Sequence, residues 1–339
     1  MFKSKLAKIL LGLFVIFLLS SGYQYYKLDK QKFKFDLEVK KWFTLRKIEK
    51  KLCNKNIISN CFLWKIWFFL HKINNIKPGY YEFSGETLKE IINQLQKWPK
   101  IKYVKFTILP WETKFDISEK LNNKQKKVFL NLMTDKIFIK KISQQYPYLK
   151  TFWELNSLEG FLYPDTYFFK KSDLKSILFP QLLIKTAIKN FYKKTKNLNW
   201  KNNYNLSKYQ ILILASIVEK EESNPINKPY VANILIRRYL NNWKLWADWT
   251  LCYGLNLGSK KCYSHLTYQN LINKSNPYNT RANKGLPPTP VSNPTIETIK
   301  SVIKSKPNNY WYYLHDKNWN IHYAKTANEH TLNKNTYLR

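Results

Sequence analysis

Acidic residues are scarce in this sequence. Against 58 Lys and Arg it carries 22 Asp and Glu, a formal net charge of +36 over 339 residues. Any cluster of acids is therefore conspicuous. Metal-ligand spacing is lacking as well. The 4 cysteines and 5 histidines form no CxxC or Cys/His cluster, so no metal site is expected, and no cofactor motif is present. Cys53 lies near Cys61, and Cys252 near Cys262. Local disulfides would suit an extracytoplasmic address, but spacing alone does not choose among the connectivities. Beyond the first thirty residues no apolar run is long enough to span a bilayer. FLWKIWFFL (62–70) is too short and carries Lys65. Internal repeats are absent.

What is present is ample apolar material. A hydrophobic content of 44% and an aromatic content of 17% exclude global disorder, and the length allows two domains. The positive excess has two readings. One is an anionic partner such as nucleic acid, a membrane surface or an acidic polymer. The other is compositional drift, since Lys, Asn, Ile, Tyr and Phe are all abundant. The basic residues are spread along the whole chain, as drift predicts. A nucleic-acid binder would gather them on one surface, so no nucleic-acid partner is expected.

The N-terminus is more specific. Lys3, Lys5 and Lys8 precede an apolar run over 9–19, and Tyr23, Tyr25 and Tyr26 follow. Residues 6–26 approach the roughly 20 that cross a bilayer. Basic residues before the run favour a cytoplasmic N-terminus, with the tyrosines at the far interface. The expectation is a retained single-pass anchor; a cleaved signal peptide, with Ser-Ser-Gly as a poor cleavage site, is the alternative. Either way the bulk of the chain lies outside the cytoplasm.

Residues 80–109 read as strand, helix, strand. Leu88, Ile91, Ile92 and Leu95 fall at helical spacing, and YVKFTIL (103–109) alternates. Further on, helices are expected over 137–145, 174–194, 207–222, 229–240 and 296–304. Ser207 is placed to cap the third, and Pro229 suits the first turn of the fourth. GLPPTPVSNP (285–294) reads as a rigid loop, and YWYYLH (310–315) with IHYA (321–324) as a hairpin.

The acids gather at the end of the third helix, in ILASIVEKEESNP (213–225). Residues 211–218 are apolar or small on every side, with Ser216 as the only polar one. Such a helix is buried all round. Its C-terminus carries partial negative charge, and Glu219, Glu221 and Glu222 repel one another. Burial, dipole and repulsion all raise a carboxyl pKa, as a general acid acting on a leaving oxygen requires. Solvated residues on a frayed end, with Lys220 neutralising one, are the plain alternative.

Several motifs occur in fixed order around that segment: LEGFLYPDTY (158–167), LASIVEKE (214–221), WADWTLCYG (246–254), NPYNT (276–280), GLPPTPVSNP (285–294) and YYLHDKNWNIHYAKTANEH (312–330). The set resembles the YceG-like endolytic murein transglycosylases. The resemblance implies an α+β fold, with an N-terminal cytoplasmic stretch and membrane anchor over 1–28. A LysM-like subdomain would follow over 29–108, and an extracytoplasmic catalytic domain over 109–339. It implies a lyase of the bacterial cytoplasmic membrane that cuts nascent peptidoglycan strands internally. The bond would lie between N-acetylmuramic acid and N-acetylglucosamine, leaving 1,6-anhydro ends, and the enzyme would work beside peptidoglycan polymerases. Glu221 would be the acid, with Glu219 as the alternative. Glu159, Asp165, Thr166, Tyr167, Asp248, Thr250, Tyr253, Tyr278, Asn279, His322 and His330 would shape the substrate cleft or its loops. The sequence departs from the family pattern at Trp246, where Gln is usual, at Trp249 for Pro and at Thr289 for Gly. The early Glu-Gly pair appears as Trp111-Glu112. A non-catalytic wall-binding scaffold is the competing reading.

Overall fold

The computed structural model describes residues 22–24, 26, 27, 30–39, 44–54, 75–99, 103–152, 155–262 and 266–338. The expected anchor over 6–26 lies outside these apart from 22–24 and 26. Among the described residues no helix is long and apolar enough to cross a membrane. The chain divides into two compact units, residues 1–103 with 170–172, and 104–169 with 173–339.

In the first unit, β1 (Lys32–Val39) pairs antiparallel with β2 (Gly79–Thr87), from Lys32 opposite Thr87 to Val39 opposite Gly79, with a bulge at Phe33/Lys34. Phe33, Leu37 and Val39 of β1 and Tyr81 and Phe83 of β2 are buried. Helices α1 (Leu45–Asn54) and α2 (Leu88–Gln96) close over them with Ile48, Leu52, Leu88, Ile91, Ile92 and Leu95. The helix expected from spacing is therefore α2, and its apolar stripe is the buried one. The strand expected over 103–109 exists as β3 (Tyr103–Ile108), but its partner is β4 (Asp165–Lys170). Phe106 and Ile108 of β3 belong to the core of the second unit, whereas β2 pairs with β1 along its length in the first.

The second unit is mostly helical. In order come α3 (Lys114–Ser118), α4 (Asn123–Leu132), α5 (Lys136–Gln145), β4, α6 (Phe179–Thr195), α7 (Lys208–Glu221), α8 (Lys228–Leu240), α9 (Asp248–Gly254), α10 (Tyr268–Ile272) and α11 (Ile296–Ile303). The hairpin β5 (Tyr312–His315) and β6 (Ile321–Ala324), then α12 (Ala327–Tyr337), close the chain. The mixed α+β class follows from these elements. α7 is the axis, with α8, α9 and α11 packed on it. Every residue from Ile211 to Glu219 is buried, so the unbroken apolar stretch is the central helix of the core. Ser207 caps it. Its hydroxyl accepts the Gln210 N–H at 3.2 Å, and the Gln210 side chain accepts the Ser207 N–H at 2.9 Å. A disulfide joins Cys252 of α9 to Cys262, and Cys53 is also disulfide-bonded.

Candidate active site

Ser216, the one polar residue inside α7, ties the helix to the proline-rich loop. Its hydroxyl accepts the Val291 N–H at 2.9 Å, and Ser292 donates to the Ser216 carbonyl at 2.8 Å. Gly160 lies under the same loop with φ +87°, and a Cβ there would meet Pro290 at 2.8 Å. Asn293 finishes the joint. Its Oδ1 accepts the N–H groups of Gly160 and Leu162, each at 3.0 Å, and its Nδ2 donates to Glu112 O and Glu159 Oε1 at 2.9 and 2.8 Å. The last turn of α7 is thus held from outside the helix, and its four polar residues are held by different surroundings.

Glu219 is a buried tie. Its Oε1 accepts from Lys228 Nζ at 2.8 Å. Its Oε2 accepts from Thr295 N at 2.8 Å, Thr295 Oγ1 at 3.0 Å and Thr298 Oγ1 at 2.5 Å. Both oxygens are occupied by the starts of α8 and α11. Lys220 runs the other way. Its Nζ donates to Ser259 Oγ at 2.6 Å and lies 4.3 Å from the Trp249 ring centre and 5.4 Å from that of Trp111. Burial lowers its pKa to about 8, against the opposing charges of Asp116, Glu159 and Glu112. Glu222 caps the helix end. It accepts the Asn224 N–H at 2.7 Å and faces His315 Nε2 at 3.2 Å, and these contacts outweigh burial to hold its carboxyl below the usual range.

Glu221 differs from its neighbours. It is half-buried at the end of α7, and Tyr313 Oη donates to its Oε2 at 2.9 Å. Burial pushes its pKa up to about 7, and the charge of Asp248 adds to the rise. The Tyr313 hydrogen bond and the positive charges of Arg238 and His315 oppose it. Burial, with the nearby Glu221 charge, raises the Tyr313 phenol well above its ordinary value, so it stays a donor. The alternation of β5 explains the pairing: Tyr313 meets Glu221 and His315 meets Glu222, while Leu314 points into the core. Arg238 is buried, and its guanidinium donates to the carbonyls of Leu245 at 2.5 Å and Trp311 at 2.6 and 3.0 Å. Its bonds go to neutral carbonyls, which leaves its charge acting on Glu221 and Tyr313. Asp248 is ion-paired with Arg281, whose Nη2 donates to Asp248 Oδ2 at 2.9 Å.

The other residues singled out in the sequence fall into two groups. Glu159, Thr250, Tyr253, Asn279 and Tyr167 are buried. Glu159 accepts from Asn293 and from the Lys114 N–H, and burial raises its pKa to about 7. Thr250 meets Thr280 Oγ1 at 2.9 Å and Ala247 O at 2.7 Å. Asn279 donates to the carbonyls of Asn270 and Leu271 in α10 and of Asn273 just after it. Tyr167 donates to Tyr163 O, and Tyr278 shares a hydrogen bond with Thr289 at 2.9 Å. Asp165 and Thr166 lie on β4, bonded to Asn190 and Thr107. His322 meets Asp316 at 3.0 Å and stacks on Tyr337, and His330 stacks on Tyr312. Tyr313, Arg238 and His315 were not anticipated. The signal for them was weak: a paired Arg at a helix end and an aromatic strand. Among the described residues no cluster of His, Cys, Asp and Glu could hold a metal.

A model of the YceG-like family matches residues 37–336. The chain belongs to the YceG-like family. It is 28% identical over 220 residues to an endolytic murein transglycosylase of Bacillus subtilis, covering 63% of this chain and 58% of that protein. It is 25% identical over 299 residues to one of Streptococcus pneumoniae, covering 79% of this chain and 52% of that protein. The chain therefore spans between half and two thirds of the length of these curated relatives. A crystal structure of a yceG-like protein from Listeria monocytogenes aligns with a TM-score of 0.56 at 26% identity, over 88% of this chain and 98% of that one. In this chain Glu219, Lys220 and Glu221 form the end of α7, and the loop GLPPTPV (285–291) is the strap that holds it.

Proposed function

We propose that this YceG-like protein is an endolytic peptidoglycan transglycosylase in which Glu221 is both acid and base. The observation that carries the reading is Glu221 itself. It is a half-buried carboxyl with a pKa near 7, held by one donor, while Glu219 two residues away has both oxygens occupied. A group protonated near neutral pH donates well, and its conjugate base then accepts well. Glu221 would protonate the glycosidic oxygen between N-acetylmuramic acid and N-acetylglucosamine. The bond from that oxygen to the muramic C1 breaks, and the muramic 6-hydroxyl closes onto C1. Its proton passes to the Glu221 carboxylate, which restores the acid. No water is consumed, so no second carboxylate is needed, unlike the two-carboxylate hydrolases. Asp248, whose charge also acts on Glu221, is already paired with Arg281.

The wider reading follows the family. The protein would be anchored in the bacterial cytoplasmic membrane through residues 1–28, with an N-terminus in the cytoplasm. Residues 29–108 would form a LysM-like subdomain and 109–339 the extracytoplasmic catalytic domain. It would act on nascent strands beside peptidoglycan polymerases and so limit strand length. Asp248 and the hairpin tyrosine would border the cleft.

The test is a digest of intact and nascent peptidoglycan by the full chain and by Glu221→Gln, read by mass spectrometry. New 1,6-anhydromuramic ends are expected from the wild type. Their rate should fall by about 10²–10⁴ in the variant, the usual worth of a general acid. Reducing ends would mean a hydrolase, and no cleavage at all would mean a wall-binding scaffold.

A further inference from the structure

Beside Glu221 lies a group of indole and phenol rings that the acid chemistry does not use. Trp243 and Trp246 follow α8 in sequence, and they are 37% and 41% exposed, unusually wet for tryptophan. Trp246 stacks on Tyr312 at 6.0 Å with planes 25° apart, and Trp243 lies 4.6 Å from Trp311. The two indoles are 6.4 Å apart. His330 stacks against Tyr312 at 5.1 Å, and Arg237 lies 4.1 Å from the Trp311 ring.

Two features mark these rings as more than surface filling. Trp246 is held at φ +54°, a left-handed conformation costly for a large side chain, pinned by its N–H to Thr280 O at 3.2 Å. The patch is also continuous with the acid. The guanidinium carbon of Arg238 is 5.4 Å from the Trp246 ring, 5.9 Å from Tyr312 and 5.7 Å from Tyr313, the ring that holds Glu221. One buried cation thus spans the acid and the aromatic surface.

We propose that Trp246, with Trp243 and Tyr312, is a stacking subsite for one pyranose ring of the glycan strand, next to the bond cut at Glu221. A pyranose offers a face of C–H groups, which packs on an electron-rich ring face and suits a flat, rigid, half-wet indole. The rings sit on a pre-formed support, so little ordering cost is added on binding. This inference rests on the transglycosylase reading for its ligand, and the test keeps the two apart.

The full chain carrying Glu221→Gln is titrated calorimetrically with soluble, peptide-free glycan strands. Trp246→Asn, which tolerates the left-handed backbone, should weaken binding about ten-fold, and Trp243→Ala several-fold. Trp246→Tyr should restore most of the affinity, and melting temperatures should be unchanged. In the active protein, Trp246→Asn should raise KM with kcat nearly kept, because stacking acts on ground and transition states alike. Unchanged affinity in both Trp246→Asn and Trp243→Ala overturns the subsite while leaving the transglycosylase reading intact. Trp-dependent binding without cleavage by the wild type supports the subsite and sinks that reading. A Glu221→Gln chain that binds no glycan overturns the subsite. If Trp246→Asn lowers the melting temperature, Trp243→Ala decides.

Discussion

Glu219 and Glu221 lie two residues apart on α7, so their side chains leave the helix on nearly opposite faces. They enter two different regions. On one side the starts of α8 and α11 fill both oxygens of Glu219 with an ammonium, two hydroxyls and a backbone N–H. On the other, the hairpin gives Glu221 a single phenol at 2.9 Å and leaves it half-buried, with its second oxygen not taken up by a protein donor among the described residues. A third carboxyl, Glu159, sharpens the contrast. Its pKa is also about 7, yet it is fully buried and satisfied by Asn293 and Lys114 N–H. A raised pKa therefore does not by itself make an acid. The group must also keep an oxygen open to a substrate, and of the three only Glu221 combines both.

The contrast breaks most visibly on the Glu219 side. Glu219→Ala would strand the Lys228 ammonium in the core, 2.8 Å from the oxygen it has lost. Removing one partner of a buried pair costs about 3–5 kcal/mol. Urea unfolding should show that loss, with cleavage per folded molecule largely kept. A variant that stays stable but loses all activity would move the catalytic role to Glu219.

On the Glu221 side the sign is reversed. The pKa of Glu221 rises from 4.5 in the unfolded chain to about 7 in the folded one. The folded state then holds its proton more tightly, and ionisation opposes folding. Its contribution is absent below pH 4.5, grows as a penalty between 4.5 and 7, and is complete above 7. Glu221→Gln removes that penalty. The variant should match the wild type at pH 4.5 and exceed it at pH 8 by about 1–2 kcal/mol, after a discount for partial solvation. Equal melting curves at both pH values would mean that the carboxyl is solvated.

Much of this was legible in the sequence, for identifiable reasons. The capped, apolar α7, the first-turn proline of α8, the closing hairpin and the order of the YceG-like motifs are all local patterns, read from spacing. The partner of β2 was not legible. KFKFDLEV alternates, but it sits in a basic, aromatic stretch, and pairing across forty residues leaves no local trace. The roles of the glutamates were not legible either. Which oxygen stays open depends on Thr295, Thr298 and Tyr313, which lie 76 to 92 residues downstream. Tyr167 illustrates the same limit. The resemblance puts Tyr167 among the residues that shape the substrate cleft or its loops, and its ring is buried with its hydroxyl serving Tyr163 O, a loop-holding role that spacing alone does not specify.

The subtlest way to sharpen the contrast is Tyr313→Phe, which leaves Glu221 in place and removes its one donor. The Tyr313 hydrogen bond lowers the Glu221 pKa, because it favours the carboxylate. Without it the acid form persists to higher pH. The descending limb of kcat, expected near pH 7 in the wild type from the Glu221 pKa, should move up by about 0.5–1 pH unit. The phenol itself stays protonated across that range, so the movement belongs to the carboxyl. The plateau rate should fall by less than about ten-fold, because Tyr313 positions Glu221 and does not supply the proton. A limb that stays at the same pH with a lower plateau would mean that Tyr313 acts on the sugar directly. A limb that vanishes would detach the pH dependence from Glu221.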